Sequence, residues 1–265
     1  MTINLTDQLN KKHIFEIVPM RIVSLVPSQT ELLYDLGLES SIVGITKFCV
    51  HPKHFLKEKI KVGGTKNPNF DKIKALNPDI VICNKEENTK EIIEQCAEIC
   101  TVWTTNIFTI EDNFKMIEDF GKIFNIEQNS SVLINKLSSA LLDFKNIIAN
   151  NQIKKVAYFI WKKPFMVVGK DNYINEILRL NKFDNVFENN NSVSNRYPEI
   201  EIETLKKLDL DCILLSSEPY PFKENDKNDF LAFPKTKIII VDGEMFSWHG
   251  SRLLLALAYF KTLTF

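Results

Sequence analysis

Glycine is scarce in this chain, at 8 of 265 residues. Neither a G-x-G-x-x-G run nor a G-x-x-x-x-G-K-S/T run occurs, and such glycine patterns let a backbone approach the phosphates of a dinucleotide or nucleotide. An excess of positive charge is also lacking, since 33 Lys and Arg stand against 34 Asp and Glu. The sequence therefore argues against dinucleotide, P-loop nucleotide and nucleic-acid binding.

Long apolar runs are missing as well. No stretch of about 18 apolar residues occurs, so we predict no membrane-spanning helix. The first twenty residues include Asp7, Lys11, Lys12 and Glu16 and lack an unbroken apolar segment and a small-residue cleavage site; the chain as written is therefore expected in the cytoplasm, or in the periplasm if its true start lies upstream. Its five cysteines are expected to be buried thiols.

Short β-branched runs alternate with helical stretches in both halves of the chain. The runs RIVSLV (21–26), SIVGIT (41–46), DIVIC (79–83), KKVAYFIW (154–161), CILLSS (212–217) and KIIIVDG (237–243) predict strands. Helices are predicted between them, one starting at a capping box of Ser28 and Glu31 and the last capped by Ser251. The alternation predicts an α/β fold with mostly parallel sheets.

A longer amphipathic segment separates the two halves. Its apolar residues keep helical spacing over about five turns, and it contains no Gly or Pro at which to kink. We therefore predict two Rossmann-like lobes, 1–125 and 153–265, joined by one backbone helix over 126–152, with a ligand cleft between the lobes. In such sheets ligands bind at the carboxyl ends of the strands.

Polar and aromatic residues collect on the loops that follow these strands. Cys49 and His51 are candidate metal ligands, but a C-x-H pair alone is a weak signal. The Gly63–Lys66 turn could hold an anion on backbone N–H groups or could simply be a tight turn. Glu86 and Glu87 are adjacent, so they point to different sides, which disfavours paired-carboxylate catalysis. No nucleophile motif is present, so neither an enzyme nor a resident cofactor or metal is expected.

Three segments resemble a known family: RIVSLVPSQTELLYDLGLESSIVGIT, GGTKNPNFDKIKALNPDIVI and YPEIEIETLKKLDLDCILL. They are similar to the helical-backbone metal-receptor superfamily, the class III substrate-binding proteins of ABC importers, and most similar to the periplasmic cobalamin (vitamin B12)-binding proteins. The resemblance covers about residues 19–262. It implies two α/β lobes joined by one long helix, a metal-chelate ligand and an ABC permease as partner.

The resemblance also implies roles for individual residues. Phe48 and Tyr197 fall on aromatic positions that clamp the ligand, whereas Thr65 stands where the family has a tryptophan. Asp71 and Glu203 stand at the places of the permease-docking carboxylates. The full set of expected ligand-binding residues is Phe48, Cys49, His51, Thr65, Lys66, Trp161, Phe165, Tyr197, Glu244, Phe246, Trp248 and His249.

Three functions remain open at this point. The first is a monomeric receptor for a cobalamin-like or other metal-chelate ligand, with Trp248 as the most energetic contact of the second lobe. The second is a cytoplasmic corrinoid-handling protein or enzyme that uses Cys49, His51 and His249. The third is an iron-siderophore or haem receptor, whose anionic ligand would be met by the cations Lys47, Lys66, Lys162, Lys163 and Arg196.

Overall fold

The computed structural model describes residues 2–189 and 196–263, so most of the asparagine-rich loop predicted over 188–195 lies outside the described residues. The chain divides into two compact units. The first holds the chain up to Ile107, Glu111–Ser138 and His249–Arg252. The second holds Phe108–Ile110, Ser139–Trp248 and the chain from Leu253 onward.

The first unit is built on a parallel sheet of five strands. A two-stranded hairpin of β1 (Ile3–Thr6) and β2 (Lys12–Phe15) comes first in the chain. The elements that follow, up to the helix at the boundary with the second unit, are β3 (Ile22–Ser24), α1 (Pro27–Asp35), β4 (Ile42–Ile45), α2 (Phe55–Glu58), β5 (Ile60–Lys61), α3 (Phe70–Ala75), β6 (Ile80–Asn84), α4 (Lys90–Ala97), β7 (Thr101–Thr105), α5 (Ile110–Ile123) and α6 (Glu127–Ile147). The strand order is β5-β4-β3-β6-β7. Val23, Val81 and Val102 lie at the centre of the core between the sheet and its helices.

The second unit has a mixed sheet. Its elements are β8 (Lys154–Trp161), β9 (Phe165–Val167), α7 (Tyr173–Leu180), β10 (Phe183–Asn185), β11 (Glu199–Ile200), α8 (Ile202–Leu205), β12 (Cys212–Ser216), β13 (Lys237–Val241), α9 (Gly243–Ser247) and α10 (Leu253–Phe260). The strands β10, β8, β12 and β13 pair in parallel, whereas β9 and β11 pair antiparallel. The predicted α/β class with mostly parallel sheets is confirmed.

The long helix predicted between the halves is α6, a 21-residue helix. It begins in the first unit and ends in the second, because the boundary between the units falls after Ser138. Its residues Leu137 and Phe144 are fully buried. No helix among the described residues is long and apolar enough to cross a membrane.

The two sheets share one hydrogen-bonding arrangement at the start of their central strands, made by an aspartate in each. Asp79 comes directly before β6, and its Oδ2 accepts the backbone N–H groups of Met20 and Arg21, both at 2.8 Å. Asp211 comes directly before β12, and its Oδ2 accepts the backbone N–H of Lys155 at 2.8 Å. These aspartates end the similar runs IKALNPD and LKKLDLD. Each fixes the start of the neighbouring strand, β3 or β8.

Two predicted helix caps are wrong. Helix α1 begins after Val26 with Pro27 in its first turn, and no side chain caps it; Ser28 and Glu31 make other contacts, described below. Ser251 lies in a 3-10 turn, Gly250–Arg252, ahead of α10, and its buried Oγ has no hydrogen-bond partner. The loop predicted at 223–229 is also different, since Glu224–Phe230 forms a 3-10 helix.

The hairpin of β1 and β2 is held by a buried contact between a histidine and an aspartate. His13 Nε2 lies 3.0 Å from Asp7 Oδ2, and their side chains are 5% and 1% exposed. Burial alone would raise the pKa of Asp7, but hydrogen bonds from His13 and from the backbone N–H groups of Lys11 and Leu9 outweigh it and lower that pKa. Asp7 therefore stabilises the fold in its ionised form.

This lowered pKa predicts a pH-dependent loss of stability. The folded pKa of Asp7 lies below its unfolded value of 3.8, so its contribution is present above about pH 4 and is lost as pH falls through the folded pKa. We expect the difference in free energy of unfolding between wild type and Asp7→Asn to be constant near neutral pH and to shrink below about pH 4. Urea denaturation across this range measures it, with the exposed Asp184→Asn as control. A difference that stays constant down to acid unfolding would contradict the assignment.

Candidate functional site

The loop after β4 places one exposed aromatic ring and one buried thiol in the first unit. Phe48 is 49% exposed, whereas Cys49 is fully buried. The Cys49 Sγ lies 3.1 Å from Thr30 Oγ1 and 3.2 Å from Thr46 Oγ1. Burial raises the pKa of the Cys49 thiol, so the neutral thiol is favoured over the thiolate that metals and electrophiles require.

His51 is half-buried on the same loop. Within 2–189 and 196–263, neither Cys49 nor His51 belongs to a group of three metal-donor side chains. As a fully buried residue, Cys49 has no surface to offer a ligand in this conformation. Its expected contact with a ligand is therefore not supported, and its thiol instead joins the Thr30 hydroxyl of α1 to the Thr46 hydroxyl just after β4.

The glycine turn after β5 supports the Phe48 ring. Gly63 has a φ of +114°, which favours glycine. A Cβ on Gly64 would lie 2.3 Å from Asn67 Oδ1 and 3.3 Å from Phe48 Cε2, so this glycine lets the turn approach the ring. The two glycines thus serve the packing of the turn.

Thr65 and Lys66 connect this turn to the loop after β6. Thr65 is 8% exposed, and its carbonyl oxygen accepts a hydrogen bond from Asn88 Nδ2 at 2.9 Å. The Lys66 ammonium donates to the Glu86 carbonyl oxygen. Burial raises the pKa of Glu87, although the nearby Lys66 charge opposes the rise. Lys66 is therefore already engaged with this loop.

The segment His249–Arg252 belongs to the first unit, although it follows the strands of the second. Gly250 N donates to Asn113 Oδ1 at 2.6 Å, and Asn113 Nδ2 donates to the Gly250 carbonyl oxygen at 3.3 Å. Arg252 donates from Nε and Nη2 to the two oxygens of Glu31, at 2.8 and 2.6 Å. The segment is thus fastened to α1 and α5 by contacts that the sequence did not predict.

His249 is buried within this segment and is neutral. Its Nδ1 lies 3.5 Å from Ser28 Oγ, and burial lowers its pKa to about 4. A neutral imidazole can accept or donate one hydrogen bond, so His249 fits a hydrogen-bonding role at the start of α1. Metal ligation by Cys49 would need its thiolate, which burial of the thiol disfavours.

The carboxyl end of β8 presents the exposed aromatic ring of the second unit. Trp161 is 39% exposed, and Tyr220 packs edge-on against it at 5.9 Å. Tyr220 in turn packs against Phe222 at 4.7 Å. Phe165 begins β9 and packs on Phe159 and Phe230, so it is partly a core residue of the sheet.

Two cations of this region, Lys162 and Arg196, have partners. Lys162 Nζ lies 2.6 Å from both Asp226 Oδ1 and Asp229 Oδ2, and these carboxylates raise the pKa of the lysine. The guanidinium of Arg196 lies over the Phe108 ring, 4.6 Å from its centroid. The neighbouring Tyr197 is half-buried.

A buried carboxylate, Glu218, holds the end of α9 just before the segment His249–Arg252. Glu218 Oε1 accepts hydrogen bonds from Ser247 Oγ at 2.8 Å and from Trp248 Nε1 at 3.0 Å. Burial raises the pKa of Glu218. Trp248 is only 8% exposed, so little of its ring is open to a ligand.

Phe246 and Glu244, the other two residues expected on this loop, differ in burial. Phe246 is fully buried and packs against Tyr158 and Phe260; it is a core residue with no surface for a ligand. Glu244 lies in the first turn of α9 and is half-buried. Tyr220 and Glu218, which the expected set omits, could have been found from their place just after β12.

The two expected docking carboxylates occupy matching places. Asp71 and Glu203 are exposed in the first turns of α3 and α8. Asp71 precedes Asp79 by eight residues, and Glu203 precedes Asp211 by eight. Each unit therefore carries one exposed acid at the same position of the repeated element.

Comparison with known proteins agrees with this architecture. The chain is 27% identical over 266 residues, 95% of this chain and 82% of the relative, to an uncharacterized ABC transporter substrate-binding lipoprotein, YvrC, of Bacillus subtilis. It is 26% identical to a vitamin B12-binding protein of Vibrio parahaemolyticus, over 69% of this chain and 66% of that protein.

A solved structure supports the same fold. The periplasmic vitamin B12 binding protein BtuF of Vibrio cholerae superposes with a TM-score of 0.79 at 20% identity, covering 92% of this chain and 97% of that chain. The periplasmic binding protein family model matches residues 22–234, most of the sequence. The chain belongs to this periplasmic binding protein family.

Proposed function

We propose that the chain is the substrate-binding protein of an ABC importer and that its ligand is a corrinoid or a similar flat metal chelate. The family membership and the names of the relatives from Bacillus and Vibrio support the receptor role. The observation that carries the ligand class is the pair of exposed rings at strand carboxyl ends, Phe48 after β4 and Trp161 at the end of β8. Exposed aromatic faces favour contact with a flat apolar ligand.

Three of the five candidate cations are already engaged within the protein, which favours a ligand with little negative charge. Lys162 is paired with two aspartates, Arg196 lies on Phe108, and Lys66 donates to Glu86. An anionic siderophore would have to displace these contacts, which adds a cost to its binding. A corrinoid needs no such exchange.

Asp71 and Glu203 are the proposed contacts with the permease. Their exposure and their equal spacing from Asp79 and Asp211 support a matched pair of acidic contacts, of the kind that basic residues of a partner would meet. A receptor of this kind works outside the cytoplasmic membrane, and we propose that location for the chain.

A selectivity experiment tests the ligand class. Quenching of tryptophan fluorescence would be titrated with cobinamide, haem and a trianionic ferric siderophore, each at low and at high salt. We expect cobinamide to bind more tightly than the siderophore, with little salt dependence because few free charges take part. Tighter siderophore binding that weakens steeply with salt would instead show that the lysines bind the ligand.

A matched variant sharpens this test. Lys162→Gln removes the cation that Asp226 and Asp229 hold. Cobinamide affinity should change by less than about threefold, since this lysine is engaged within the protein. A loss of about tenfold or more would place Lys162 in direct contact with the ligand.

A further inference from the structure

Three metal-donor side chains meet at the amino ends of strands of the first sheet, whereas the loops described above lie at the carboxyl ends. Glu39, His54 and Glu58 each offer one ligand atom, and these atoms all lie within 4.8 Å of one another. His54 Nε2 is 2.8 Å from Glu39 Oε1. Both side chains are reachable from solvent, with exposures of 38% for His54 and 46% for Glu39.

The parallel sheet brings these residues together. Glu39 begins the 3-10 turn Glu39–Ser41 just ahead of β4. His54 stands before the first residue of α2 and Glu58 is its last residue, so the two are one helical turn apart on one face. Helix α2 leads into β5, which pairs in parallel with β4. The segments that precede two adjacent strands, β4 and β5, therefore bring all three donors together at the amino ends of those strands.

The imidazole is held in place by neighbouring rings. Tyr34 and Phe55 pack edge-on against His54, with centroids 5.7 and 5.0 Å away. Lys59 would repel a bound cation, because its Nζ is held near the site by a 2.6 Å hydrogen bond to the Glu39 carbonyl oxygen. The two carboxylates still leave the donor set with net negative charge.

We propose that Glu39, His54 and Glu58 bind a divalent transition-metal ion, with Zn²⁺ as the representative. One imidazole nitrogen and two carboxylate oxygens suit this class of ion, and water would complete the shell. Tetrahedral donors around Zn²⁺ lie about 3.4 Å apart, so side-chain rotations that close the present gaps suffice. The ion would fasten the start of β4 to the start of the edge strand β5.

Metal titration tests this proposal. The protein would be treated with EDTA, dialysed and titrated calorimetrically with ZnCl₂, and Co²⁺ would report the coordination through its visible spectrum. We expect saturable binding of one ion, a higher melting temperature with Zn²⁺ and reversal by EDTA. His54→Ala and Glu58→Gln should each weaken binding by at least about tenfold.

The controls separate this site from general metal binding by the surface. Glu94→Gln alters an exposed acid paired with Lys90 on α4 and should leave Zn²⁺ affinity unchanged. Glu58 is exposed, so Glu58→Gln tests the site even if His54→Ala perturbs folding. The absence of saturable binding, or binding that survives in both site variants, would overturn the proposal. Cobinamide affinity should be the same with and without Zn²⁺, since the donors lie at the amino ends of the strands and Phe48 follows the carboxyl end of β4.

Discussion

Replacing Arg252 by methionine should lower the free energy of unfolding by about 3–5 kcal/mol, because it leaves the buried Glu31 carboxylate without its cation. The two side chains are 4% and 12% exposed and are joined by two hydrogen bonds. Burial raises the pKa of Glu31 in spite of the neighbouring guanidinium. Arg252 therefore offsets part of the cost of desolvating Glu31, and the large effect comes from removing one partner only.

This reasoning makes the double variant the informative control. Glu31→Gln with Arg252→Met should be less destabilised than Arg252→Met alone, since no buried charge remains. The deficit of the single variant should also shrink toward mildly acidic pH, because Arg252 opposes the rise in the Glu31 pKa. Without it that carboxyl gains more relative stability on protonation than it does in the wild type. Urea denaturation measures both effects. A double variant as unstable as the single one would show that lost packing, rather than the unpaired Glu31 charge, causes the loss of stability.

Replacing Trp161 by alanine should weaken corrinoid binding by about 2 kcal/mol, roughly thirtyfold. This prediction rests on the proposed function. The indole is 39% exposed at the end of β8 and is braced by Tyr220, so its truncation removes ligand contact with limited loss of core packing. Calorimetric titration gives the affinity, and thermal unfolding of the same sample gives the stability.

Two variants of the second unit serve as controls for Trp161. Trp248→Ala removes a ring that is 8% exposed and bonded to Glu218, so we expect a marked fall in melting temperature. Leu231→Ala removes an apolar side chain that is 75% exposed, and it should change neither quantity. If Trp248→Ala abolishes binding while Trp161→Ala has no effect on affinity, the ligand contact belongs to Trp248 instead.

The parts of the fold that the sequence predicts are those with strong local signals. Strands β6 and β8 each contain an apolar run, IVIC and VAYFIW, and α6 keeps its helical period without Gly or Pro. In these elements local pattern and tertiary packing agree. The similarity of IKALNPD and LKKLDLD indicates that Asp79 and Asp211 occupy equivalent positions, although their hydrogen bonds are visible only in the structure.

Features that depend on distant residues were not predictable in this way. The cap expected at Ser28 and Glu31 fails because Pro27 starts the helix and Glu31 pairs with Arg252, a partner 221 residues away. Strand β11 has only two residues, too few to show a period. Exposure of the candidate site residues also depends on packing, so the buried Phe246 and the exposed Trp161 look alike in the sequence.

Calorimetric titration of the wild-type chain with cyanocobalamin, cobinamide and haem tests the central claim most directly. A receptor for a flat metal chelate should bind at least one of them with a stoichiometry of about one and with a negative heat-capacity change, which marks the burial of apolar surface. No heat and no spectral change with any of the three, at protein concentrations well above micromolar, would contradict the proposed function.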